Sequence, residues 1–371
     1  MKRVFTVLIS IALTFALSFS AAFASDDALL KSRKYMTTIA LDSPDAVIAY
    51  EATGMEADYK ADALLNNFRE TDYGTASYGD LAKSIIAISL LGENPKDFNN
   101  TNLVEILENR VQEDGTLTND VNGGCGATIW TLMALETVNS PKVKAVADKL
   151  STMAMDNGAY WYEYQGPNAD LDTTGWAMEA LSVAGRSTYD AAISKAYTFV
   201  QSKLNSTDGY YDNWGGNADT QSCVLEGLSV AGYTLDTNAY NYLLSYQNED
   251  GTFNALNYST SQLEPNAYAS VEGARALGVI NNGSFVLKAR RDYTNTTTPV
   301  VTEPEPPTKP STPTTPGTTT PAVKPETTTT EPKKETVKVV NTGDNTNVMA
   351  YVVAAIAAVG VIVLVIKSKK K

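Results

Sequence analysis

The chain has 371 residues, with 42 acidic side chains, 29 basic ones and no histidine. A net charge of −13 makes the electrostatic term for a phosphate backbone repulsive, so nucleic acid is not expected as a partner. With no histidine and two cysteines, no structural zinc site and no histidine-activated nucleophile is expected, and any catalysis must run on carboxylates, tyrosines or lysines.

Residues 1–24 read as a secretory signal peptide. Lys2 and Arg3 supply the positive start, an apolar run follows from Val4 to Phe19, and Ala22-Phe23-Ala24 is a small-x-small cleavage site after Ala24. Export is therefore expected. Residues 25–293 hold 36 acids against 18 bases, so the acidity belongs to one sizeable folded body.

Within that body, apolar helices ending in small residues are predicted over Asp45–Gly54, Asp80–Gly92, Gly126–Val138, Asp172–Gly185, Asp219–Gly232 and Asn266–Gly278. The last five starts fall about 46 residues apart, a repeat spacing. A more amphipathic helix precedes each: Ala28–Ala40, Ala57–Arg69, Thr101–Val111, Pro141–Met155, Tyr189–Leu204 and Asp236–Tyr246. Turns such as Gln112-Glu-Asp-Gly115, Asp156-Asn-Gly158, Asp208-Gly209 and Gln247-Asn-Glu-Asp-Gly251 join them. The expected fold class is all-α: six helical hairpins closed into an α6/α6 toroid, with the apolar helices as the inner ring.

Registering the inner helices on their endings puts Asp172, Trp176, Glu179 and Val183 on one face. The same columns give Asp219, Cys223 and Glu226 in the next repeat, Glu272 in the last, Trp130 in the third and Lys83 in the second. If this face lines the lumen, Glu179, Glu226 and Glu272 share one level, with Trp130 and Trp176 a turn away and Lys83 across. Unpaired burial of each carboxylate costs several kcal/mol, so the group needs water, a cation or raised pKa values. Two readings follow: an aromatic-floored ligand pocket, or glutamates that cap neighbouring backbone groups. Asp172 and Asp219 are expected to cap their helices. Aromatic clusters, Tyr160-Trp161-Tyr162-Glu163-Tyr164 and Tyr210 to Trp214, sit in two connections entering the inner ring as either a stacking platform or an apolar plug. Cys125 and Cys223 fall on inner helices three and five, too far apart for a disulfide.

Asp170-Leu-Asp172-Thr-Thr-Gly-Trp-Ala-Met-Glu-Ala-Leu181 and the Gln247-to-Phe253 turn resemble the terpenoid cyclase/prenyltransferase-like α6/α6 toroids. The resemblance covers residues 28–280. It is strongest to secreted bacterial proteins with prenyltransferase/squalene-oxidase repeats, and through them to the α-domains of cobalamin carriers. It implies the toroid, a corrinoid-like ligand in one branch, and, in cyclases, a proton-donating Asp at the position of Asp172. Thr173 stands where the cyclase Asp-x-Asp-Asp motif has its last Asp, and the zinc-dependent prenyltransferase branch needs a histidine. Gly124-Cys125-Gly126 resembles the start of a complement-type thioester motif, but Thr128 replaces its Gln.

Residues 294–340 are mostly Thr, Pro, Lys and Glu, too poor in apolar groups to offset their ordering entropy, and read as a disordered stalk. Within 341–371, Val348 to Ile366 spans roughly 28 Å as a helix, enough for the hydrocarbon core. Lys367 to Lys371 would keep that end cytoplasmic. Val339-Val340-Asn341-Thr342-Gly343-Asp344 resembles the cell-wall sorting signal of Gram-positive bacteria, with Val339-Val340 in place of Leu-Pro. That implies cleavage between Thr342 and Gly343 and linkage to peptidoglycan; a plain membrane anchor is the alternative.

These features point to a surface-tethered module that binds a glycan, a peptide or a corrinoid-like ligand through Lys83, Trp130, Trp176, the glutamates and the Tyr160, Trp161, Tyr210 and Trp214 aromatics. An extracellular cyclase-like or glycan-cleaving enzyme using Asp172, Glu179, Glu226 or Glu272 is the alternative, and a structural wall or coat component the third.

Overall fold

Ser43, Ser77, Asp170, Asn217 and Asn266 stand in extended backbone, and each side chain accepts the backbone N–H three residues on. That satisfies one orphan donor and sets where a helix begins. In the computed structural model these caps open α2 (Pro44–Ala52), α4 (Tyr78–Leu90), α8 (Leu171–Gly185), α10 (Ala218–Val230) and α12 (Ala267–Asn282). A sixth apolar helix, α6 (Gly126–Thr137), starts at Cys125 without a side-chain cap. Alternating with them are α1 (27–36), α3 (Asp62–Glu70), α5 (Leu103–Glu108), α7 (Val143–Met153), α9 (Asp190–Ser202) and α11 (Thr237–Ser245). The structure describes residues 27–297 apart from 58–61, 121–122, 163–165, 206 and 211–215.

Every residue of α6 is buried, whereas α9 buries a stripe, Ile193, Ala196, Phe199 and Val200. That is the difference between a helix surrounded by protein and one with a solvent face. Among the apolar helices α2 packs on α4, α4 on α6, α6 on α8, α8 on α10 and α10 on α12, while α12 packs back on α2. α5 lies on α4 and α6, α7 on α6 and α8, α9 on α8, and α11 on α10. The fold is helix-rich. Its strands among the described residues are a two-residue pair, β1 (Leu204–Asn205) with β2 (Gly209–Tyr210), and a hairpin of β3 (Phe253–Asn257) with β4 (Gln262–Asn266), in which Leu256 faces Leu263.

The turn glycines are steric requirements. Gly251 has φ +89°, and a Cβ there would collide with the Lys31 carbonyl of α1. Nearby, Gln247 Nε2 donates to Ala28 O at 2.9 Å and to Ser32 Oγ at 3.0 Å, so this late turn is clasped to the first helix.

Several expectations need correction. The last apolar helix does not stop at Gly278 but runs to Asn282, and α13 (Phe285–Thr297) follows it. The folded body therefore continues past residue 293 into what was read as stalk. Phe285, Val286, Ala289 and Tyr293 bury one face of α13 against α4, α6 and α2. Lys288 Nζ meets Glu51 Oε2 at 2.9 Å, Arg290 pairs with Glu136, and Thr296 Oγ1 donates to Gly92 O at 3.2 Å. All three partners lie at the C-terminal ends of apolar helices, so α13 covers those ends. Among the described residues no helix is long and apolar enough to cross a membrane. The expected signal segment with Ala24, the rest of the expected stalk, Thr342, Gly343 and the expected 348–366 span lie outside the described residues.

Candidate functional site

At the opposite, N-terminal ends of the apolar helices the surface opens into a cleft of about 280 Å³. Trp130, Tyr162, Trp176 and Tyr268 wall it, and Asp172, Asp219 and Lys83 border it. The two tryptophans stand one turn inside α6 and α8, with ring centroids 5.8 Å apart and planes tilted by 60°. Lys83 Nζ lies 4.6 Å from the Trp130 centroid and 2.8 Å from Asp45 Oδ1, which holds a cation over an aromatic face. Lys83, Trp130 and Trp176 thus meet as the helical register predicts.

The capping expectation was two residues off. Asp170, not Asp172, accepts from the Thr173 N–H at 2.7 Å, and Asn217, not Asp219, accepts from the Thr220 N–H at 2.8 Å. Asp172 and Asp219 sit instead in the first turn, where the helix dipole favours a carboxylate, and border the cleft. Burial, reinforced by the charge of Glu272 and opposed by Arg275, pushes the Asp219 carboxyl up to about 7.

One level deeper, Glu179 (α8), Glu226 (α10) and Glu272 (α12) come together, all essentially inaccessible. They do not line the cleft. Arg275, also fully buried, reaches Glu226 with Nε at 3.1 Å and Glu272 with Nη2 at 2.6 Å and Nη1 at 3.0 Å. Burial and the neighbouring Glu226 charge push Glu179 well above the usual carboxylate range. Its Oε1 accepts from Ser284 Oγ at 3.1 Å. Its Oε2 would otherwise lack a donor; a proton there, donated to Glu226, satisfies both groups. One guanidinium shared by two carboxylates, with Glu179 the acid that burial pushes furthest toward its neutral form, is the arrangement here. Neither backbone capping by glutamate nor open water answers their charge, and Arg275 was not anticipated. The signal was present: an arginine between Ala274 and Ala276 in an apolar helix has to find a buried anion.

The aromatic clusters divide. Tyr160 and Tyr210 are fully buried in the core, their N–H groups donating to Thr174 Oγ1 and Gln221 Oε1. This removes them from any ligand-facing role; they pack the connections. Trp161 packs partly buried against the same core, and Trp214 lies outside the described residues. Of the two clusters, Tyr162 reaches the cleft, where Tyr268 of α12 joins it beside the tryptophans. Beneath Trp130, Phe285 stacks on its ring at 6.3 Å, so the segment entering α13 forms part of the site's floor. Cys125 and Cys223 are both buried and neither is in a disulfide. Among the described residues no group of His, Cys, Asp and Glu is placed to hold a metal ion.

No protein-family model matches the chain, and a search of curated proteins finds no match either.

Proposed function

We propose that this chain is a surface-tethered α6/α6 toroid of the terpenoid cyclase/prenyltransferase-like kind, whose work is to bind a ligand at the N-terminal mouth of its inner helices. The closed sequence of neighbours from α2 to α12 and back to α2, with α5, α7, α9 and α11 packed on α4, α6, α8 and α10, supports the toroid. The observation that carries the binding reading is the division of the polar groups. The open cleft has aromatic walls, a lysine and two aspartates, whereas the three glutamates below it are sealed and engaged by Arg275 and Ser284. A concave, aromatic-lined site with a few converging polar groups is the usual form of a ligand pocket.

Thermal shift and tryptophan fluorescence of the full chain, against glycans, peptides, cobinamide and polyprenols, test this reading. One class should raise the melting temperature, and Trp130→Ala should weaken that response. No response to any class would leave a structural wall component. The tether rests on the 348–366 span and the Thr342-Gly343 pair. Thr342→Ala should move the protein from the wall fraction to the membrane fraction; an unchanged distribution would leave the plain membrane anchor.

One observation favours a second reading. Asp219, held near neutrality beside Asp172 at the cleft, has the character of a general acid. Incubation with oligosaccharides followed by mass spectrometry tests it, with loss of product in Asp219→Asn as the expected outcome.

A further inference from the structure

A second hollow of about 340 Å³ adjoins the cleft, bordered by Tyr78, Asp80 and Asp120. Lys83, Trp130 and Tyr162 belong to both hollows, so the two form a single groove. In the first hollow Trp176 is only 8% exposed, yet its indole N–H meets no acceptor among the described residues. Asp219 Oδ1, in the same hollow, is buried without a donor. A buried donor and a buried acceptor without partners cost stability, and native proteins keep such groups where a ligand or water answers them.

The ligand that answers both needs oxygen atoms that accept and hydroxyls that donate, carried on a body with apolar faces for the tryptophan and tyrosine rings. Sugars combine these: each hydroxyl does both, and the C–H face of a pyranose stacks on an aromatic ring. A bare amine would serve the carboxylates but leave the indole N–H unmet. Charge narrows the class further. Asp80, Asp120, Asp172 and Asp219 border the groove, whereas its one lysine, Lys83, is paired with Asp45, so a carboxylated or phosphorylated chain is repelled.

We propose that the groove binds a non-acidic oligosaccharide across at least two sugar units. Trp176 Nε1–H donates to a sugar oxygen and Asp219 accepts from a hydroxyl. Trp130 and Tyr162 lie under the unit that spans the two hollows, and Tyr268, 56% exposed, forms the outer lip. This inference rests on the binding reading above and narrows it to one chemical class.

The test is calorimetric titration of the full chain with chitotetraose, cellotetraose, a chitosan tetramer and tetragalacturonate. At least one of the first three should bind, at least tenfold more tightly than its disaccharide and than tetragalacturonate. Trp176→Phe keeps the ring and removes the N–H; it should weaken binding about tenfold without lowering the melting temperature. Tyr268→Ala, at the exposed rim, should weaken binding several-fold and serves if Trp176→Phe fails to fold. Absence of binding by all four, equal binding of tetragalacturonate, or unchanged affinity in both variants would overturn the proposal. If cobinamide or a peptide quenches the tryptophans while no sugar binds, the sugar inference falls and the binding reading stands. If nothing binds in either panel, both fall.

Discussion

Arg275 illustrates how much one side chain carries. Three carboxylates converge on it in a space without solvent, and the guanidinium fork contacts two of them directly. Breaking such an arrangement by removing the cation costs about 3–5 kcal/mol, because the anions stay behind without compensation. Arg275→Met is therefore expected to lower the free energy of unfolding by that order, measured by urea denaturation; a loss under about 1 kcal/mol would mean that the glutamates are neutral in the fold. Asp219 and Glu179 make a second prediction. Their folded pKa values lie above those of the unfolded chain, so the native state binds more protons, and the stability this provides is fully present below about pH 4 and is lost as pH rises, for Asp219 through about 7. The melting temperature should fall between pH 5 and pH 8, and Asp219→Asn should flatten that slope. The glutamate level was legible in the sequence because registering the apolar helices on their shared endings aligns residues 179, 226 and 272. Arg275 was not, because it lies one position before the registered column, on the side turned to Glu226. The caps were misread by two residues because an acid in a first turn has the same sequence appearance as an acid at a cap.

At the level of elements, α13 is the largest gap between sequence and structure. Its apolar spacing, Phe285, Val286, Ala289 and Tyr293, is present, but its last turn, Thr294 to Thr297, shares the Thr-rich composition of the sequence that follows. Composition marks where a chain has too little to bury; it does not register that a neighbouring apolar surface is waiting to be covered. Phe285 supplies that cover under Trp130. Phe285→Ala should cost about 3–5 kcal/mol as a cavity-forming change and shift the tryptophan emission, because it empties one side of the ring that floors the groove. Emission and stability both unchanged would mean that α13 does not contribute to the floor. The hairpin β3–β4 between α11 and α12 was not legible either: its strand residues, Phe253–Asn257 and Gln262–Asn266, follow the same kind of Gly turn as in the two-residue pair β1–β2 between α9 and α10.

Across the whole molecule, the alternation of fully apolar and one-sided helices was readable because burial on all faces leaves no periodic polar stripe. How the two ends of the chain meet was readable only in part: the Gly turns announce bends, not what they press against. Gly251 presses against Lys31, 220 positions earlier in sequence. Gly251→Ala should therefore destabilise the whole body by more than 1 kcal/mol, on the order expected when a positive-φ glycine is replaced, and the loss should appear as one cooperative transition in calorimetry. A separate early transition confined to α1 would show that the clasp is local. Another consequence lies in how α13 is fastened. Whatever follows Thr297 in sequence is joined to the body through α13, a helix tied to Glu51 on α2, to Gly92 after α4 and to Glu136 on α6, with Ser284 at its root bonded to Glu179 on α8. A pull on the C-terminal side is thus divided among four helices rather than unravelling one, and its far end is felt where Phe285 stacks on Trp130.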